Sequence, residues 1–200
     1  MERQISMPGN QEQQFDIRNG VLINYIGQSI DVSVPCSVKE ISSTAFKNCC
    51  NISSINIPDS VTCINKYAFA SCSALKKVKL GFGIRIIPQG CFAGLRQLEE
   101  VTLTNNIESI DDFAFNNCEA LKRIDFLVKK YRAPITAAEK GKAFEAMLSG
   151  RKAAIEYVDY ADTVPTIKRI GKYAFMGCVS LDYTLMKWIG KGAGHAPRSL

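Results

Sequence analysis

Between residues 38 and 129 the apolar residues recur with a step of twenty-three residues. The step is marked by four phenylalanines, Phe46, Phe69, Phe92 and Phe115. Two further columns keep the same step, and they consist of Ile41, Ile64, Ile87 and Ile110 and of Ile55, Val78, Val101 and Ile124. A repeat of this length with aligned apolar columns is typical of a solenoid, in which each repeat is one coil stacked on the next.

Each repeat contains a segment in which apolar and polar residues alternate, as in residues 75–80. Alternation with a period of two predicts a β-strand that turns one face toward the core. Because successive coils repeat this segment, the strands should stack into a parallel sheet. Residues 61–64 predict a second short extended piece and residues 68–72 a tight helical turn, so the predicted class is an α/β solenoid of stacked parallel strands.

The repeat defines the domain organisation. Counting back twenty-three residues from Ile55 reaches Val32, so residues 15–37 are predicted to be a partial repeat that caps the amino-terminal end. Residues 38–129 are four full repeats, and residues 167–189 are a fifth repeat with a carboxy-terminal cap. Residues 1–14 are polar and are expected to be disordered, and residues 190–200 are expected to form a flexible tail.

The fourth and fifth repeats are separated by an insertion, residues 130–166. Phe115 and Phe175 lie sixty residues apart instead of twenty-three. Thr136 followed by Glu139 has the pattern of a capping box, and residues 137–148 after it favour a helix. Residues 151–160 predict a weaker second helix, with a strand as the alternative. The candidate contact residues of this helical insertion are Phe144, Met147, Tyr157 and Tyr160.

The repeats resemble a known family. The pattern Ile-x-x-x-Ala-Phe-x-x-Cys-x-x-Leu-x-x-Val-x-Leu, with its twenty-three-residue step, is similar to that of the BspA-like, treponemal-type leucine-rich repeats. The resemblance covers roughly residues 15–128 and returns at residues 167–186. It implies a right-handed horseshoe or gently curved solenoid that serves as a binding module, often as an adhesin on bacterial or protist surfaces, and it does not imply catalysis.

The cysteines follow the repeat as well. Four of the eight lie three residues after a repeat phenylalanine, and these are Cys49, Cys72, Cys118 and Cys178. Leu95 takes the equivalent place in the third repeat, which favours buried free thiols over disulfides or a metal site. No Cys-x-x-Cys motif occurs and the single histidine, His195, lies in the tail, so no metal or cofactor site is expected.

A candidate binding face lies on the outward positions of the predicted strands. Its charged and polar candidates are Lys76, Lys77, Lys79, Glu99, Glu100, Thr102, Lys122, Arg123 and Asp125. Since neighbouring strands lie about 4.8 Å apart, opposite charges on them would stand side by side. One interpretation is a charge ladder that satisfies itself. The other is a polar docking face, which Ser53, Ser54 and Asn56 would extend.

Catalysis is not expected. The adjacent carboxylates Asp111 and Asp112 lack the opposed geometry of a paired acid and base, and the glycine-rich run at residues 190–194 lacks the strand and helix that a phosphate loop requires. A non-catalytic module that binds a protein or other macromolecular surface is the leading hypothesis. The alternative is a structural repeat module that assembles with copies of itself.

Composition bears on partners and location. The formal charge of +6 is spread along the chain, so solvated surfaces are favoured over a nucleic-acid patch. No stretch approaches eighteen consecutive apolar residues, and the polar start does not read as a signal peptide. A cytoplasmic location is therefore the expectation, with the cell surface or secretion as the alternative.

Overall fold

The computed structural model describes residues 14–129, 157–159 and 167–181. Their strands follow one another as β1 Phe15–Arg18, β2 Val21–Tyr25, β3 Asp31–Ser33, β4 Glu40–Ile41, β5 Ser54–Asn56, β6 Cys63–Ile64, β7 Lys77–Lys79, β8 Ile86–Ile87, β9 Glu100–Thr104, β10 Ser109–Ile110, β11 Arg123–Lys129, β12 Tyr157–Asp159 and β13 Arg169–Ile170. Each full coil therefore contributes one strand of two residues and one longer strand.

The longer strands form the main sheet, whose order is β12-β11-β9-β7-β5-β3. From β3 to β11 every neighbouring pair is parallel. The apolar column pairs in register across it, through Val32, Ile55, Val78, Val101 and Ile124. The predicted parallel sheet and its register are confirmed. The register is fixed because a shift of the pairing by one residue would turn these side chains out of the core.

The two-residue strands form a second ladder along the coils. It comprises two small sheets. One has the order β1-β2-β4-β6, in which β1 and β2 are longer strands of the cap, and the other has the order β13-β10-β8. Ile41 pairs with Ile64, and Ile87 pairs with Ile110, so the isoleucine column lies in register here too. The antiparallel hairpin of β1 and β2 covers the amino-terminal end of this ladder, which agrees with a cap at that end.

The phenylalanines form a continuous aromatic stack through the core. Ring centroids of Phe46 and Phe69 lie 4.9 Å apart, and those of Phe69 and Phe92 lie 5.3 Å apart. The stack continues to Phe115 and Phe175 with separations of 5.2 Å. In the cap its place is taken by Tyr25 and Phe15, whose centroids are 5.0 Å apart. The cap thus prolongs the stack with rings that the twenty-three-residue step does not mark.

Turns, and not helices, connect the strands. In the segment predicted as a helical turn, the hydrogen bonds join residues three apart, as in β-turns. The Ala70 amide donates to the Tyr67 carbonyl at 3.1 Å, and the Cys72 amide donates to the Phe69 carbonyl at 2.9 Å. Tyr67, directly before this segment, has a positive φ of 59°, so a helix cannot extend back through it. No α-helix occurs among the described residues, so the architecture is a β-solenoid and the α/β class is not supported.

The insertion returns to the main sheet as a strand. Leu127 pairs with Asp159 and Lys129 with Tyr157, so β12 runs antiparallel to the far end of β11. The helix predicted for residues 151–160 is therefore wrong at residues 157–159, and the strand alternative is the one found. The reason is tertiary, because β12 pairs with the edge of β11 that faces away from β9, and an edge strand offers unpaired backbone groups to such a partner. The predicted helix at 137–148, with Phe144 and Met147, lies outside the described residues.

The fifth repeat stacks directly on the fourth despite the insertion. Ser109 pairs with Arg169 in a parallel register. The Phe115 amide donates to the Ala174 carbonyl at 2.8 Å, as the Phe92 amide does to the Ala114 carbonyl one coil earlier. The solenoid therefore resumes its regular packing after residue 166.

The cysteine column lies in the core. Cys72 and Cys118 are fully buried, as is Cys91, which stands in the alanine column that precedes each phenylalanine. All eight cysteines are free, so the expectation of buried thiols is confirmed. Burial raises the pKa of Cys72 to about 12, and it raises the pKa of Cys91 as well. Such thiols stay protonated near neutral pH and react slowly.

Thiol labelling should therefore divide the cysteines by exposure. With a maleimide at neutral pH we expect rapid modification of the exposed Cys36, Cys50 and Cys63 and slow modification of Cys72 and Cys91. Mass spectrometry of the native protein over time measures this order, and a sample in denaturant gives the control in which all react together. Disulfide-linked peptides that contain the buried cysteines would contradict the packing.

Candidate binding face

The strand face is the outward side of the main sheet, and alternation along each strand creates it. In β7, Lys77 and Lys79 are exposed, whereas Val78 between them is only 2% exposed. Because the strands pair in register, outward side chains line up in rows across the sheet. The first row contains Asp31, Ser54, Lys77, Glu100 and Arg123, and the second contains Ser33, Asn56, Lys79, Thr102 and Asp125.

Charges in the first row neutralise one another. Glu100 forms an ion pair on both sides, since Lys77 Nζ lies 3.0 Å from Oε2 and an Arg123 guanidinium nitrogen lies 3.1 Å from Oε1. Arg123 Nε also lies 2.9 Å from the Asp125 carboxylate. Such exposed pairs contribute only about 0.2–1 kcal/mol each. Their main effect is that the opposite charges of the row face one another.

The positions just before the strands repeat this arrangement. Lys122 Nζ donates to Glu99 Oε2 at 2.8 Å. This hydrogen bond and the charge of Lys122 lower the pKa of Glu99, and the same contact raises the pKa of Lys122. For Glu99, Glu100, Lys122 and Arg123 the structure thus agrees with the charge-ladder interpretation. Lys76, in the same row, has no ion pair with another described residue.

The middle of the second row is different. Lys79 is exposed between Asn56 and Thr102, and no carboxylate of the described residues pairs with it. A shallow groove of about 300 Å³ crosses β3, β5, β7 and β9 at this point. Besides Lys76, this row of carboxamide, ammonium and hydroxyl groups is therefore a part of the strand face that is open to a partner.

The insertion reaches the edge of the strand face. Pairing of Tyr157 with Lys129 puts β12 beside the end of β11, on the strand that also carries Arg123 and Asp125. Tyr160, like Phe144 and Met147, lies outside the described residues. The proximity of the insertion to this face, expected from its place in the sequence, is thus confirmed for its returning strand alone.

A second charged row, which the sequence reasoning missed, lies on the short-strand ladder. Glu108 pairs with Arg85 of the third coil and, at 3.0 Å, with Lys168 of the fifth. Hydrogen bonds from Lys168 and Arg85 lower the pKa of Glu108. The sequence does contain a signal for this row, because Arg85, Glu108 and Lys168 occupy one column of the repeat and their charges alternate in sign. This row joins the fifth coil to the fourth and leaves the strand face to other contacts.

The described residues show neither a metal centre nor a membrane span. No three histidine, cysteine or carboxylate side chains converge in residues 14–129, 157–159 and 167–181 in a way that could hold a metal ion. Within the same residues no helix is long and apolar enough to cross a membrane.

Stacked twenty-three-residue coils with a parallel sheet define a leucine-rich-repeat solenoid, and comparison with known proteins agrees. The family described as BspA type leucine rich repeat region matches residues 23–133, in six copies. The chain belongs to this family, whose members are generally repeat proteins without enzymatic activity. A comparison with curated proteins found no significant match.

Solved structures of bacterial leucine-rich repeat proteins are similar to this chain. A leucine-rich cell surface protein from Faecalibacterium prausnitzii is 25% identical with a TM-score of 0.57, and the match covers 81% of this chain and 34% of that one. A leucine-rich repeat protein from Bacteroides capillosus is 29% identical with a TM-score of 0.48, over 56% of this chain and 91% of that one. The chain thus spans about a third of the length of the Faecalibacterium protein.

Proposed function

We propose that this protein is a non-catalytic binding module that docks a protein surface on its strand face. The observation that carries the proposal is the open second row, in which Lys79 stands exposed between Asn56 and Thr102. The charges on both sides of Glu100 are paired with each other, whereas the groups of this row have no such partner. A partner with acidic and amide groups would complement it.

The proposed location is the cell surface, in an adhesin-like role. Its support is the similarity to the Faecalibacterium protein, which is described as a cell surface protein. The cytoplasmic location expected from the sequence has no comparable support. The family's repeat scaffold suits such a role, since stacked coils present an extended surface with one residue of each row per coil.

A charge reversal at Lys79 tests the proposal. A photo-reactive amino acid placed at Thr102 would first capture a partner from a cell extract, and the partner would then be purified. We expect Lys79→Glu to weaken its binding about tenfold or more, since the new carboxylate repels the acidic groups that the lysine attracts. Isothermal titration calorimetry measures the affinity.

The matched control is Lys66→Glu, which makes the same charge change at an exposed position three residues before Phe69. Its affinity should stay within about twofold of the parent, as is usual for a charge outside an interface. Equal affinity of both variants would overturn the role of the strand face. An oligomer of the parent by light scattering, with no captured partner, would favour the self-assembling alternative.

The insertion remains a second proposed contact region. If Phe144, Met147, Tyr157 and Tyr160 contribute, deletion of residues 131–162 should weaken the same partner. Circular dichroism establishes first that the repeats of the deletion protein still fold. Unchanged affinity in the folded deletion protein would leave binding to the strand face alone.

A further inference from the structure

The cap leaves a recess beside the first full coil, on the turn side of the solenoid. In a full coil, the ring of the aromatic stack comes nine residues before the apolar residue of the main sheet, as Phe46 does before Ile55. In the cap, Tyr25 comes only seven residues before Val32, which pairs with Ile55. The cap therefore lacks two residues of the turn that would cover the next coil. The space left has a volume of about 560 Å³, within the usual range of small-molecule sites.

The recess is built from residues of both the cap and the first coil. Asn51 Nδ2 donates to the Gln28 carbonyl at 3.0 Å and so ties the two walls together. The Tyr25 hydroxyl accepts from the Ser29 amide at 3.1 Å, which fixes the cap loop. The walls are thus held before any ligand arrives, which lowers the entropic cost of binding.

The chemistry of the lining is neutral and amide-rich. Four carboxamide side chains border the space, Asn24, Gln28, Asn48 and Asn51, together with the hydroxyl of Thr44. Each carboxamide offers donors and an acceptor at the same end. Lys47 is the single charged residue of the lining, and Ile26, which is 58% exposed, adds an apolar surface.

Backbone groups of the first coil also face this side. One of them is the carbonyl of Lys47, a residue of the lining. Within the described residues it accepts only the Cys49 thiol, at 3.8 Å. A ligand hydroxyl could donate to it.

We propose that this recess binds a neutral saccharide. Groups that both donate and accept match the hydroxyls of a sugar, which do the same, and Ile26 matches the apolar face of its ring. An anionic ligand would find one cation, and a cationic ligand would find no carboxylate in the lining. The recess is separate from the strand face, so an experiment can contradict the saccharide proposal without contradicting the proposed protein-binding function, and the reverse.

Saturation-transfer NMR of the full chain with maltotriose, cellotriose and triacetylchitotriose tests the proposal. We expect transfer to at least one trisaccharide and an affinity about three- to tenfold weaker for Asn48→Gly, the effect of losing a carboxamide's hydrogen bonds. The matched control is Asn117→Gly, because Asn48 and Asn117 occupy equivalent turn positions with positive φ angles of 67° and 58°. Glycine adopts this conformation without strain in both variants.

A second pair of variants probes the apolar surface. Ile26→Ser should weaken the same trisaccharide, whereas Ile86→Ser should not, although Ile86 is 51% exposed on the short-strand ladder. Lys79→Glu should also leave saccharide binding unchanged. No transfer to any trisaccharide, or unchanged affinity in both Asn48→Gly and Ile26→Ser, would overturn the proposal, as would binding of an uncharged peptide in place of the sugars.

Discussion

Replacing Phe69 by alanine is expected to destabilise the protein by about 3–5 kcal/mol, the usual cost of truncating a buried phenylalanine. Phe69 is fully buried in the second coil. Its ring stacks on Phe46 with an interplanar angle of 24° and on Phe92 with one of 11°. Each aromatic contact adds about 0.5–1.5 kcal/mol beyond the buried area, and coils on both sides prevent the cavity from collapsing.

Urea denaturation followed by circular dichroism measures this loss. Phe175→Ala is the matched control, because Phe175 is only partly buried and stacks on one described ring, Phe115 at 5.2 Å. Its cost should be the smaller of the two. A denaturation midpoint of Phe69→Ala equal to that of the parent would contradict the continuous stack.

Gly83→Ala is expected to cost about 1–3 kcal/mol, the range of an overpacked core. Gly83 lies at a corner at the end of the second coil, where a Cβ atom would overlap the carbonyl oxygens of Asp59, near the end of the first coil, and of Val61, the first residue of the second. These are backbone atoms, so they cannot rotate away as a side chain would. The two coils would have to separate at this corner, and the parallel pairing of β5 with β7 next to it would be strained.

Gly94→Asn provides the control for this glycine. A Cβ at Gly94 meets nothing within 4 Å, and its φ of 76° is close to those of Asn48 and Asn117 at the equivalent positions. We expect a change within about 0.5 kcal/mol, as for most surface substitutions. Both variants are measured by urea denaturation. A stable Gly83→Ala protein would show that the corner has more room than the structure indicates.

The register of the main sheet was predictable to the residue. Val78 pairs with Ile55 and Val101 because all three occupy one column of the repeat. A regular step makes this possible, since a coil whose apolar residues fall out of register cannot bury them on its neighbours. The same reasoning predicted the burial of the cysteine column, in which Cys72 and Cys118 lie, whereas the buried Cys91 stands in the alanine column and was not predicted.

Pairings outside the step could not be predicted in this way. The strand β12 exists because β11 presents a free edge, and residues 151–160 alone were compatible with a helix. Tyr25 enters the aromatic stack twenty-one residues before Phe46, so the column count did not identify it. Both depend on where the chain returns in space, which local pattern does not encode.

For the candidate binding face, the sequence by itself determined which side chains share a row, because alternation and the repeat together assign every outward position. Only the tertiary structure decided which of them remain available. Glu100 stands between two cations and pairs with both, whereas Lys79 pairs with no carboxylate of any row among the described residues. The cap recess is likewise tertiary, since it arises where a shortened turn fails to cover the first coil. Periodicity determines neighbours within the repeat, and the ends and interruptions of the repeat are decided by packing.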